Sequence, residues 1–437
     1  MTSEVAVMNT QAIALAADSA VTFGDGIGQK IFTSASKIFT LSKYQPVGIM
    51  VYGNANFMGV PWETIIKIYR KRLEQKTFKT VGEYAEDFLS FLRKEEAFSE
   101  TEQDRYIHRS IYGYFGHIEE SLSLAVKKTL EEDGKIDEAT VGELVTQVIQ
   151  SHFDLWNEAE AASSIPEGFA EDFKEKYGDL IRQAEETVFE KLPLSSDSSR
   201  KLVEIAANLF MKFPKGMIIG GITGVVIAGF GREDVFPVLE SFSVEGRIDG
   251  YLKQKRDEEK CAQITLPEQA SIVPFAQSEM VYTFIAGVDF EYQALTDGYV
   301  EQIYLTYPRI LVDKIDGLSR KEKGDLKDRL TDVGKEEFDQ YLKEFAEYRT
   351  ENRINPIMKV VRALPKDELA AMAESLISLT SFKRRVSMEA ETVAGPIDVA
   401  VISKGDGFIW IKRKHYFESG LNQHYFANYY REELRDA

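Results

Sequence analysis

Residues 1–22 read MTSEVAVMNTQAIALAADSAVT, and this opening decides the fold. Two short apolar runs, EVAVMN (4–9) and AIALAADS (12–19), flank the polar pair Thr10 and Gln11, the pattern of two strands joined by a tight turn. The stretch does not read as a secretory signal. Glu4 stands where a basic segment belongs, the first basic residue is Lys30, and the apolar run over 12–17 is too short and interrupted. It reads instead as mature protein whose first residues are available for chemistry.

Outward from this hairpin, KIFTL (37–41) and VGIMVYGNA (47–55) continue the strand character to about residue 57. From Val60 the spacing turns helical, in PWETIIKIYRKRLEQ and TVGEYAEDFLSFLRKEE, and a long charged helical tract covers about 95–215. GMIIGGITGVVIAGFG (216–231), short and rich in glycine, reads as two buried strands rather than a membrane span. VFPVLESFSV and GRIDGYLK extend it into a meander. A second charged helical stretch covers about 289–388, and IDVAVISK and FIWIKRKHYF return to strand around a GDG turn. The order strands, helices, strands, helices, strands predicts an α+β fold with helices packed outside sheets, not a doubly wound sheet.

The 437 residues carry a formal charge of −18, which argues against nucleic acid or an anionic membrane as partner. A single cysteine, Cys261, excludes an intrachain disulfide and a thiolate metal cluster, and a reducing cytoplasm is the natural setting. His108, His117, His152, His415 and His424 show no metal-ligand spacing. The glycines of GDGIG (24–28) match neither a dinucleotide fingerprint nor a phosphate loop. The aromatic run HYFESGLNQHYFANYY near the C-terminus reads as a packed tail.

Removal of Met1, expected before a residue as small as Thr2, leaves one residue with both a hydroxyl and a free α-amine. Such an amine titrates near about 8 and serves as the hydroxyl's own base. It needs a cation to lower its pKa and a carboxylate to hold that cation. Asp18, at the end of the second strand, returns beside Thr2, and Lys37 opens the next strand. Gly53, at the end of GIMVYG, is placed to offer a backbone N–H to an oxyanion.

This constellation resembles the proteasome β-subunit and HslV family of threonine-type N-terminal nucleophile (Ntn) hydrolases. Matched on AIALAADSAVT, SKIFTL and GIMVYGNAN, the resemblance implies Thr2 as nucleophile, Asp18 and Lys37 as its supporting pair and Gly53 as the oxyanion glycine. GVVIAGFGREDVFPVLESFSVEGRI is similar to the family's VAGYD hairpin, and ETVAGPIDVAVISKGDG to its C-terminal strand pair. There Glu391 takes the place of a site aspartate, Ala394 that of a serine, and Gly395 matches a glycine. A further family serine, from a TGSGS-like turn, falls nearest Val288.

The resemblance implies a four-layer αββα sandwich, with core segments over 1–94, 216–308 and 361–437. A helical insertion falls at 95–215 and a charged one at 309–360. It implies hydrolysis of peptide bonds by Thr2, Asp18, Lys37, Gly53 and Glu391 with no metal or organic cofactor. Peptide or protein substrates, a homo-oligomer that closes into a ring, and an ATP-dependent unfoldase as partner are further implications. An Ntn amidase acting on small substrates and a non-catalytic assembly protein of the same fold are the alternatives.

Overall fold

The computed structural model describes residues 2–23, 30–94, 100–190, 192–214, 221–387 and 393–427. The chain is mixed α+β, and its main sheets are antiparallel. The opening hairpin is β1 (Ser3–Asn9) and β2 (Ala12–Ala17), paired Glu4 to Ala17 through Met8 to Ile13. Its turn is set by Asn9, whose Oδ1 accepts from the Gln11 amide at 2.9 Å, a local side-chain turn.

The second-sheet strands are β3 (Ile38–Thr40), β4 (Val47–Gly53), β5 (Thr223–Gly229), β6 (Val238–Ile248) and β7 (Tyr251–Arg256). They lie in the order β7–β6–β5–β4–β3, with Ala262–Gln263 paired to β6 as a short sixth strand. The first sheet is completed by β8 (Ala270–Ala276), β9 (Asp398–Ser403) and β10 (Gly407–Lys412), in the order β8–β1–β2–β9–β10. Pro274 sits in β8, an edge strand, where its missing N–H is tolerated.

Every residue of β1 and β2 is buried, because both faces of the hairpin are covered. Ala6, Met8, Ile13 and Leu15 meet Ile38, Met50, Val226 and Leu239 of the second sheet. Val5 and Val7, with Ala12, Ala14 and Ala16, meet α7 (Glu279–Ala286), α11 (Asn355–Ala363) and α12 (Lys366–Val386). The three alanines let α12 approach closely, and its Ala370 and Ala373 answer them.

The far face of the second sheet packs on α1 (Trp62–Leu73) and α2 (Val81–Lys94) through residues such as Trp62, Ile66, Phe88 and Leu89. The same core runs on into α3 (Glu100–Asp133), α4 (Glu138–Glu158), α5 (Phe169–Val188) and α6 (Ser196–Asn208). The tract read from sequence as an insertion thus shares one hydrophobic core with the sheet. A buried ion pair, Lys253 Nζ to Glu245 at 2.5 Å, fastens the junction, and Lys253 also donates to the Leu209 carbonyl.

Of the two strands expected over 216–231, the structure shows one, β5, and residues 216–220 lie outside the described part. α8 (Phe290–Leu305), α9 (Tyr307–Asp313) and α10 (Arg320–Arg349) carry the first part of the charged stretch, and of their residues Val312 and Gly334 are buried.

Candidate functional site

Thr2 directly precedes β1 and is 5% exposed. Its carbonyl accepts from the Gln277 amide at 3.0 Å, which ties the residue to the end of β8. One residue on, Ser3 and Asp18 close the open end of the hairpin. The Asp18 amide donates to the Ser3 carbonyl at 3.1 Å, and the Ser3 amide donates to Asp18 Oδ1 at 3.0 Å.

Asp18 is where the charges meet. Its Oδ1 also accepts from Lys37 Nζ at 2.6 Å, while Oδ2 accepts from the amides of Ala20 at 3.0 Å and Ala394 at 3.3 Å. Four donors thus fix one carboxylate in one orientation. Lys37 comes from the other sheet. It precedes β3, and its carbonyl accepts from the Val51 amide of β4 at 2.9 Å. The Lys37–Asp18 pair, buried at both ends, therefore bridges the two sheets above their shared core. Burial pushes the Lys37 ammonium below its ordinary range. Asp18 and Glu4 pull it back up, and Lys414 adds to the lowering.

Gly53 ends β4, about 7 Å along the strand from the Val51 amide that holds Lys37. Its φ of +87° belongs to the left-handed region, and a Cβ there would lie 2.6 Å from the Ile222 carbonyl oxygen. The next amide, Asn54, donates to that carbonyl at 3.2 Å, and Thr223 Oγ1 donates to the Asn54 carbonyl at 3.1 Å. Trp62 Nε1 in turn donates to Thr223 Oγ1, so the turn is anchored from the helix side.

The C-terminal segment reaches the site through its backbone. The Ser19 amide donates to the Ala394 carbonyl at 3.3 Å, so Ala394 both donates to and accepts from the Asp18–Ser19 turn. Gly395 follows with φ +85°, and a Cβ there would lie 2.8 Å from the Thr33 carbonyl oxygen. Glu391 lies outside the described residues.

The structure thus joins Asp18 and Lys37 in a hydrogen-bonded ion pair, places Thr2 one residue before the Ser3 amide that Asp18 also holds, and sets Gly53 on the strand paired beside Lys37. Val288 is not part of it. That residue follows α7, whose eight residues span about 12 Å, and the turn that meets Thr2 is the one before α7. Ala276, with φ +57°, and Gln277 form that turn, and neither was legible as a site residue. Glu4 also went unmarked. It is fully buried between the sheets, and the only sign was an acidic residue opening an apolar strand.

No protein-family model matches the chain, and no curated protein does. Among solved structures, Anbu (ancestral beta-subunit) from Yersinia bercovieri is similar over 99% of this chain and 96% of its own, at 11% identity and a TM-score of 0.27. A likeness of that size carries no argument about fold or activity. No helix among the described residues is long and apolar enough to cross a membrane.

Proposed function

We propose that the chain is a proteasome-like N-terminal threonine hydrolase that cleaves amide bonds once Met1 has been removed. The observation that carries this reading is the Asp18 carboxylate, shared between the Ser3 amide and the Lys37 ammonium at the start of the first strand. A buried cation held one residue from Thr2 disfavours a second positive charge there, so the freed α-amine of Thr2 stays neutral near pH 7. The three cores are consistent with the helix, sheet, sheet, helix layers of an Ntn sandwich.

In this reading the Thr2 hydroxyl attacks the substrate carbonyl and its proton passes, through a water, to the α-amine. The Gly53 N–H meets the oxygen that becomes negative. Collapse breaks the C–N bond, the amine proton leaves with the departing amine, and the acyl group remains on Thr2 as an ester. Water then adds to the ester by the same proton route, releasing a carboxylic acid and restoring the hydroxyl. Lys37 stays protonated throughout and Asp18 holds it in place. An assembly of identical chains completes the proposal. α8 has no buried residue and presents Tyr292, Leu295, Tyr299 and Ile303, apolar surface suited to a neighbouring copy.

The test is the intact mass before and after incubation with a peptide epoxyketone, which forms its stable ring only with a hydroxyl and a free amine on one residue. One inhibitor mass on the chain lacking Met1, and none on Thr2→Ala, is the expected result. Retention of Met1, or loss of Met1 with no adduct, overturns the proposal. Sedimentation velocity on the same material reads the assembly.

A further inference from the structure

The turn end of the opening hairpin carries a cavity that no step of the mechanism above uses. It occupies about 500 Å³ between α11 and residues 261–271, the segment that leads into β8. β8 pairs Ala276 with Ser3 at the Thr2 end and Ala270 with Asn9 at the other. The cavity therefore lies about 20 Å along the strand from Thr2, outside the site already described.

Asn9 fixes both walls. Its backbone pairs with Ala270, and its Nδ2 donates to the carbonyls of Val361 at 3.0 Å and Leu364 at 2.9 Å at the end of α11. The loop wall has its own anchors. The Ile264 amide donates to the Pro237 carbonyl at 3.1 Å, and Ile264 is buried in the core between the sheets. The Thr265 amide donates to the Glu268 carbonyl at 3.0 Å, and Gln269 Nε2 to the Leu266 carbonyl at 2.7 Å. The cavity is thus formed before any ligand arrives, and its volume suits a small molecule.

Its chemistry comes from one stripe of α11. Asn355, Lys359 and Arg362 stand at i, i+4 and i+7, and all three line the cavity. The two cations are a single helical turn apart and repel each other. Neither makes an ion pair or a hydrogen bond among the described residues, in a chain with 71 Asp and Glu against 53 Lys and Arg. Arg362 lies in the last turn of α11, where a cation opposes the negative pole of the helix, but that leaves Lys359 unexplained. From the facing wall come Gln263 and Ser271, whose side chains also make no hydrogen bond among the described residues. Glu268 is the carboxylate of the lining, and it pairs with neither cation.

We propose that this cavity binds a small organic anion, with Arg362 and Lys359 on its carboxylate or phosphate group. The guanidinium offers two parallel N–H donors, and the ammonium a compact point charge. Asn355, Gln263 and Ser271 supply hydrogen bonds to the rest of the molecule. Glu268 opposes part of the attraction, so its removal reports the sign of the ligand's charge. The site stands whether or not Thr2 is a nucleophile.

The experiment is isothermal titration calorimetry on the full chain, in chloride buffer at constant ionic strength, with inorganic phosphate and citrate as probes. Saturable binding of one molecule per chain is expected. Tighter binding of phosphate marks a phosphorylated ligand, and tighter binding of citrate a carboxylate one. Lys359→Gln combined with Arg362→Gln should weaken the preferred probe about tenfold or more. Glu268→Gln should tighten it several-fold. All three side chains are exposed, so the variants should keep the wild-type Tm in the absence of probe. Failure of both probes to bind at millimolar concentration overturns the proposal, as does binding that the double variant leaves unchanged or that Glu268→Gln weakens. The epoxyketone adduct on Thr2 is indifferent to these results, so the two readings fail separately.

Discussion

Replacing Asp18 with asparagine tests whether the site is a single electrostatic unit. The carboxylate accepts from Ser3 and Lys37 on one oxygen and from Ala20 and Ala394 on the other. An amide of the same shape must point its NH2 at one of these donor pairs, and in either orientation Lys37 loses its counter-charge. Asp18 is 1% exposed and Lys37 5%, so solvent does little to screen the loss. Removing one partner of such a pair costs about 3–5 kcal/mol. At a urea slope of about 3 kcal/mol per molar, the unfolding midpoint should fall by about 1 M or more. Lys37→Met should cost a comparable amount, and the double variant clearly less than the sum, with a coupling of about 2 kcal/mol. Urea titration of all four proteins, followed by tryptophan fluorescence, measures the cycle. A loss below about 1 kcal/mol in Asp18→Asn, or strict additivity, would refute the argument that burial and shared donors make the pair one unit.

Gly53→Ala should lose about 1–2 kcal/mol from its left-handed backbone alone. If the proposed oxyanion role holds, it should also lose about 100-fold or more in kcat on a peptide substrate. Gly134→Ala, also at positive φ but with open space around it, should share the first loss and not the second. Stability of the wild type relative to Glu4→Gln should fall as pH rises above 4.5. The folded protein binds the Glu4 proton more tightly than the unfolded chain, so the advantage is full below the unfolded value and is lost as pH climbs through the raised one. Chemical denaturation across that range reads the slope, and parallel curves would count against it.

The hairpin was legible because its two apolar runs and polar turn leave little choice of pairing. The resemblance brought Asp18 to Lys37, and the structure joins them. What stayed hidden was the backbone. Ala394 meets Asp18 through an amide that any residue would supply, so residue type carried no signal. β8 was missed because Pro274 and the weak alternation of ASIVPFA argue against a strand, while its edge position tolerates both. That omission left Val288, beyond α7, as the nearest match to the family's serine, while the turn that meets Thr2 is the one that follows β8. Glu4 was read only as evidence against a signal segment, since its effect depends on what the second sheet lays over it.

The Asp18–Ala394 hydrogen bond spans 376 positions of sequence. During synthesis at about 5–20 residues per second, Thr2, Asp18 and Lys37 are made about 20 s or more before the amide that completes their cluster. A nascent or truncated chain thus carries the threonine without the finished cradle. Full assembly of the cluster becomes a certificate that the first strands and the segment at Ala394 have met, and a half-made chain is left without it.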